Sequence, residues 1–345
     1  MTGATLTTID EFEFEDGSRF GAVPVAYRSW GTLNADGTNC VVVCHALTGD
    51  TNVSEWWGEL FGTGRAFDLE RDFVICANVI GSPYGTFSPI TRDSQTGEPF
   101  GTNFPVPTIR DTVNLHRRLL TQLGVHRVKL CIGGSMGGMQ VLEWGFHSDL
   151  VEALVPIAVG GRHSAWCIAW SEAQRQAIYC DPNYNGGDYS DDARPELGLA
   201  IARMIAMTTY RSFDSFSSRF GRAVAENGDD AQFAMKGYLH YQGAKLVDRF
   251  DANCYVTLAN SMDTHDVARG RGAYEEVLQR ILQPTLVIGI DSDMLYPLAE
   301  QRELAEHLPR ARLAVLNARH GHDSFLIERD ALNDTIVAWR QSNLS

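Results

Sequence analysis

The residues Gly133-Gly134-Ser135-Met136-Gly137-Gly138 stand between an apolar run, 128–132, and a helix-like segment, 139–147. A serine hydroxyl attacks carbonyl carbon only when it is exposed and relieved of its proton. G-x-S-x-G between a strand and a helix is the signature of a nucleophile elbow, which provides the exposure. A serine at so tight a turn is expected in a strained, positive-φ conformation, with neighbours small enough for the chains to pass. The helix start behind it offers unpaired N–H groups and a positive dipole end to developing negative charge. Gly-rich turns of this form also arise by chance. The flanking strand and helix therefore carry the reading.

Activation requires a base for the serine proton and a carboxylate to orient that base. The apolar run 284–290 leads into Asp291-Ser292-Asp293-Met294-Leu295-Tyr296-Pro297. The run 311–316 leads into Asn317-Ala318-Arg319-His320-Gly321-His322-Asp323. Nucleophile, acid and base thus follow one another in the order Ser, Asp, His, each just past a strand. The residue types leave two choices open. Asp291 and Asp293 compete for the acid, since Asp291 could equally cap its turn, and His320 and His322 compete for the base. An oxyanion hole needs two backbone N–H donors. Met136, next to the serine, is one. Leu47, in the loop His45-Ala46-Leu47-Thr48-Gly49-Asp50 after the strand-like Cys40–Cys44, is the expected second.

Such loops need a sheet to aim them. Cys40–Cys44 and the runs 73–79, 128–132, 154–159, 284–290 and 311–316 are continuously apolar, as in strands covered on both faces. Segment 111–123 has helical spacing and stops at Gly124; further helices are expected at 299–307 and 325–339. Residues 11–15 and 23–30 alternate apolar and polar side chains like antiparallel edge strands. The alternation predicts an α/β class protein with a doubly wound, mostly parallel sheet, and the elbow with its Ser, Asp, His order makes that an α/β-hydrolase fold. Between 162 and 280 the pattern changes to helical spacing with many aromatics, among them Trp166, Trp170, Tyr179, Tyr210 and Phe213, broken by loops at 182–188 and 226–230. The expected organisation is a hydrolase core of 1–161 and 281–345, with 162–280 inserted as a helical lid over the strands' C-terminal edge.

Composition narrows the partners. With 345 residues, 44% of them hydrophobic, the chain can bury a large core. A net charge of −14 argues against nucleic acid and anionic membrane. No run approaches the roughly 18 apolar residues of a membrane helix. The acidic opening segment lacks a secretory n-region and h-region, so a cytoplasmic location is expected. Seven cysteines without C-x-x-C or zinc spacing support neither a disulfide framework nor a metal site, and no cofactor is expected.

Along nearly its whole length the sequence resembles the homoserine O-acetyltransferases, acyltransferases of methionine biosynthesis. The marks are Tyr27-Arg28-Ser29-Trp30-Gly31-Thr32-Leu33-Asn34, the 45–50 loop, the elbow and the 182–189 loop, with Tyr241-Gln242-Gly243, Arg249-Phe250-Asp251-Ala252-Asn253 and the 292–297 and 321–326 loops. The resemblance implies Ser135 as nucleophile, Asp293 as acid and His322 as base. It implies Arg203, Tyr210 and Asp323 as the residues that bind the amino acid. It further implies acetyl-CoA and L-homoserine as co-substrates, a ping-pong reaction, and a homodimer through the lid helices. Relatives transfer succinyl or act on serine, so a succinyl-CoA donor, an L-serine acceptor, and a lidded esterase or thioesterase are the alternatives.

Overall fold

The computed structural model describes residues 3–227 and 230–344. Eight strands, β1 (Thr5–Ile9), β2 (Val23–Trp30), β3 (Cys40–Cys44), β4 (Phe73–Ala77), β5 (Val128–Gly134), β6 (Leu154–Ile157), β7 (Thr285–Ile290) and β8 (Ala311–Leu316), form one sheet. Its order is β1-β2-β4-β3-β5-β6-β7-β8. The β1-β2 and β2-β4 pairings are antiparallel and the remaining five are parallel. The strands β3, β4, β6 and β7 are buried at every position, which explains their unbroken apolar sequences. Alternate side chains of β3 go to opposite cores. Cys40, Val42 and Cys44 join Leu115, Leu119 and Trp144, while Val41 and Val43 join Trp57, Leu332 and Trp339.

Helices cover both faces. Helix α1 (Ile109–Gln122) starts with a capping box between Thr108 and Asp111 and lays Val113, Leu115, Leu119 and Leu120 on the sheet. Gly124 follows it at φ +78°, the left-handed stop that a side chain would resist. Helix α2 (Met136–Trp144) is buried at every residue. Residues 158–284 cross from β6 to β7 and hold α3 (Ala165–Tyr179), α4 (Glu196–Tyr210), α5 (Phe213–Arg219), α6 (Ala234–Val247) and α7 (Ala252–Asp263). Helices α8 (Leu298–His307) and α9 (Arg329–Asn343) complete the sheet's covering. No described helix is long and apolar enough to cross a membrane.

Several elements differ from expectation. The outermost strand is Thr5–Ile9, whose exposed side chains give almost no apolar alternation. The segment expected at 11–15 contributes only Phe12–Glu13, paired with Arg19–Phe20 outside the main sheet, because Glu11 turns the chain at φ +43°. The crossover is not wholly helical. Val224–Asn227 pairs antiparallel with Asp230–Phe233 where a loop was expected, and Gly228 and Asp229 lie outside the described residues. The last helix is broken at Glu328 into Ser324–Ile327 and α9.

The tightest packing lies at the start of α2. A Cβ on Gly137 would stand 2.1 Å from the Cys44 carbonyl oxygen, which is backbone and cannot yield cheaply. Gly137→Ala should cost at least the roughly 1–3 kcal/mol of an overpacked core, read as a lower urea midpoint by tryptophan fluorescence. Gly58→Ala, with nothing within 4 Å, should leave the midpoint unchanged. Equal midpoints would refute the close approach.

Candidate active site

Ser135 follows β5 directly and caps α2, with φ +58° and ψ −126°, as the elbow requires. Such a conformation costs a non-glycine residue on the order of 1–3 kcal/mol. The surroundings hold it in place. Ser135 N–H donates to the Ile157 carbonyl of β6 at 2.9 Å, and Met139 N–H donates to the Ser135 carbonyl at 3.1 Å. The adjacent glycines are equally constrained. A Cβ at Gly133, Gly134 or Gly138 would lie 2.7 Å from Cys44 O, 2.6 Å from the Phe325 ring or 2.7 Å from Val159.

Past β7, Asp293 receives three hydrogen bonds. Leu295 and Tyr296 N–H donate to Oδ1 at 2.8 and 2.9 Å, and His322 Nδ1 donates to Oδ2 at 2.7 Å. The two side chains are 0% and 3% exposed, so this is a buried, oriented carboxylate–imidazole pair. The competing residues do other work. Asp291 accepts from Ala318 N–H at 2.9 Å and ties two loops together, while His320 sits 3.5 Å from Glu328 and contacts Ser215.

With its Nδ1 proton given to Asp293, the neutral His322 ring keeps its Nε2 lone pair, and Nε2 is buried without a partner. No hydrogen bond joins Nε2 to Ser135 Oγ in this conformation; such bonds often tighten only when substrate binds. The ring is nonetheless held beside the elbow. Phe325, which presses on Gly134, lies 5.5 Å from it, and Tyr210 and Tyr296, at 5.8 and 5.3 Å, line the same cavity as Ser135. Burial disfavours protonation of His322, but the charge and hydrogen bond of Asp293 and the charge of Asp323 outweigh it and raise its pKa.

Cys44 pairs with Gly133, so the loop after β3 lies against the elbow. His45 pins that loop: Nδ1 donates to Ala46 O at 2.9 Å, and Nε2 accepts from Val79 N–H at 3.2 Å. Gln140 donates to His45 O at 3.3 Å, and Gly49 N–H closes the turn onto Ala46 O at 2.9 Å. Among the described residues, neither Leu47 N–H nor Met136 N–H has a hydrogen-bond acceptor. Leu47 and Ser135 line one narrow cavity, roofed by Cys167, Trp170 and Gln174 of α3.

Of Arg203, Tyr210 and Asp323, Tyr210 lines this cavity, and the other two lie near it in the fold. The Arg203 guanidinium lies 5.5 Å from the Tyr210 ring centre, and its charge acts on Asp323, the neighbour of His322. Sequence reasoning missed Arg211, whose Nε lies 3.0 Å from Asp323 Oδ2. Its only sequence signal is its place directly after Tyr210. Also missed was His163 in the cavity wall, bonded to the Tyr296 hydroxyl at 3.1 Å; burial pushes its pKa down to about 3 and keeps it neutral.

The family model for the α/β hydrolase fold matches residues 39–326. The homoserine O-acetyltransferase of Salinibacter ruber is 60% identical over 338 residues, covering 96% of each chain. Among solved structures, homoserine O-acetyltransferase from Staphylococcus aureus is 30% identical with a TM-score of 0.79, covering 97% of this chain and 94% of its own. Esterase E22 is 26% identical with a TM-score of 0.90, covering 98% of this chain and 100% of its own. Fold and comparisons together define an enzyme of the α/β-hydrolase class. Within that class, the chain belongs to the homoserine O-acetyltransferase family.

The geometry makes His322 useful only when its Nε2 is unprotonated. Because its pKa is raised, kcat/KM should fall toward acid with an apparent pKa above the ordinary histidine value of about 6.5. Asp293→Asn, which releases the imidazole tautomer, should lower kcat by roughly 10⁴. A pH profile flat through neutrality, or an Asp293→Asn enzyme near full activity, would overturn these roles.

Proposed function

We propose that this enzyme transfers an acetyl group from acetyl-CoA to the hydroxyl of L-homoserine by a ping-pong reaction. His322 Nε2 takes the Ser135 proton as Oγ attacks the thioester carbonyl, and the N–H groups of Leu47 and Met136 receive the oxyanion. The C–S bond breaks, the thiolate takes the proton back from His322, and CoA leaves an acetyl-serine. The homoserine hydroxyl then gives its proton to His322 and attacks the acetyl carbon, and Ser135 departs with that proton. Asp293 keeps the imidazole oriented and stabilises its charged form.

The observation that carries the acceptor assignment is a pair of opposite charges, Arg203 beside Tyr210 and Asp323 next to His322. Among the described residues Arg203 makes no ion pair, and the Asp323 oxygen paired with Arg211 is Oδ2, while Oδ1 accepts no hydrogen bond. A guanidinium fits the α-carboxylate and a carboxylate oxygen fits the α-ammonium of an amino acid. Residues 162–280 act as a lid in this reading, excluding the water that competes for the acyl-enzyme. The reading places the enzyme in methionine biosynthesis in the cytoplasm. It includes a homodimer through the lid, supported by the exposure of Leu197, Phe213 and Tyr241 there.

A second reading, a lidded esterase or thioesterase, is favoured by the likeness to esterase E22. Free-thiol release with acetyl-CoA or succinyl-CoA, against homoserine, serine or water, separates the two. Acetyl-CoA alone should give a burst of about one CoA per site and homoserine should then sustain turnover. Rapid thioester hydrolysis indifferent to homoserine would establish the esterase reading. Ser135→Ala should show no acetyl adduct by intact mass, and a persistent adduct would remove Ser135 as nucleophile.

A further inference from the structure

The turn between α4 and α5 is joined to the His322 loop by a seam of backbone contact. Gly321, at φ +72°, leaves no room: a Cβ there would lie 2.6 Å from Ser212 N and 2.9 Å from Tyr210 O. The Ser212 hydroxyl donates to the Arg319 carbonyl across the same seam. Arg211 leaves α4 between these two residues, so its backbone is fixed with respect to Asp323. The two side chains of the Arg211–Asp323 pair are 17% and 16% exposed. Such a pair is shielded from the solvent screening that makes surface ion pairs nearly worthless.

We propose that Arg211 is a specificity-determining positioning residue that grips Oδ2 of Asp323 and thereby presents Oδ1 alone to the α-ammonium of the acceptor. The inference rests on the acyl-transfer reading above and deepens it. A carboxylate on a short side chain can turn either oxygen outward, and one fixed ion-pair contact at 3.0 Å removes that freedom.

There is a second effect. The charged or titratable groups acting on Asp323 are Arg211, Arg203, His322 and Asp293, and Arg211 is the nearer and stronger of the two guanidiniums. Satisfied by Arg211, Asp323 does not draw Arg203 into a pair. Without Arg211, the remaining guanidinium is the natural partner of Asp323, and both halves of the amino-acid site would be consumed by each other. Arg211 thus keeps the two charges separately available to a zwitterion. It also offsets the negative charge that Asp323 places beside His322.

The test uses the full-length enzyme, with Arg211→Met and Arg211→Lys. The acylation burst with acetyl-CoA alone, the homoserine KM and the pH dependence of acylation are measured for each. In Arg211→Met the homoserine KM should rise roughly tenfold or more, the loss of one charge-assisted contact, and far more than the burst rate falls. The acid limb of acylation should move to higher pH, because an uncompensated Asp323 holds a proton on His322 more firmly. Arg211→Lys, which keeps the charge and loses the rigid planar guanidinium, should lie between. An unchanged KM and acid limb in Arg211→Met overturns the inference alone. So does a parallel loss of burst and KM in both variants with lowered melting temperature, which marks a structural brace. Wild-type CoA release indifferent to homoserine overturns the underlying reading, and this inference with it.

Discussion

A carboxylate without solvent exposure sits at the centre of the site, and three hydrogen-bond donors satisfy its two oxygens. A buried, unpaired Asp293 would cost several kcal/mol. Three donors offset that cost: Leu295 N–H, Tyr296 N–H and His322 Nδ1–H. The first two exist only while the chain after β7 holds its turn, and the third only while the loop after β8 faces it. Parallel pairing of β7 with β8 sets both loops at one edge of the sheet. The acid–imidazole geometry is therefore a property of the sheet as much as of the two side chains.

The crossover helices fasten each of these loops. Trp166 Nε1 donates to Met294 O at 2.8 Å, and Cys167 Sγ contacts Leu295 O at 3.2 Å, so α3 grips the turn that feeds Asp293. Arg211 and Ser212 bind the His322 loop. Arg249, just before α7, donates to Thr48 O at 2.8 Å and holds the loop that carries Leu47. The residues over the cavity thus also brace the three loops beneath it. A large displacement of this region cannot leave the site's geometry untouched.

Much of this was legible in the sequence. The elbow was, because glycine at four neighbouring positions answers a steric demand that no other residue meets, and the buried strands were, because covering both faces removes polar alternation. Thr5–Ile9 was not: only Ile9 is buried, so the strand leaves no apolar pattern. The choice of Asp293 over Asp291 depends on which carboxylate meets two N–H groups in a turn, and composition is silent on that. Arg203, Tyr210 and Asp323 came from family resemblance, since a lid arginine and a packing aromatic carry no local signal of a ligand. Arg211 was missed for a related reason. An arginine ending a helix reads as a cap or a solvated charge, and its partner is far away in the chain.

The backbone at Ser135 has a consequence for the evolution of the molecule. A residue kept at φ +58° draws on the same few kcal/mol that separate folded from unfolded chain. Glycine, which has no Cβ to object, would relieve that tension and yield a sturdier protein without the hydroxyl. Selection for robustness alone would erase the hydroxyl, so its presence records a standing sacrifice of stability to the side chain held there.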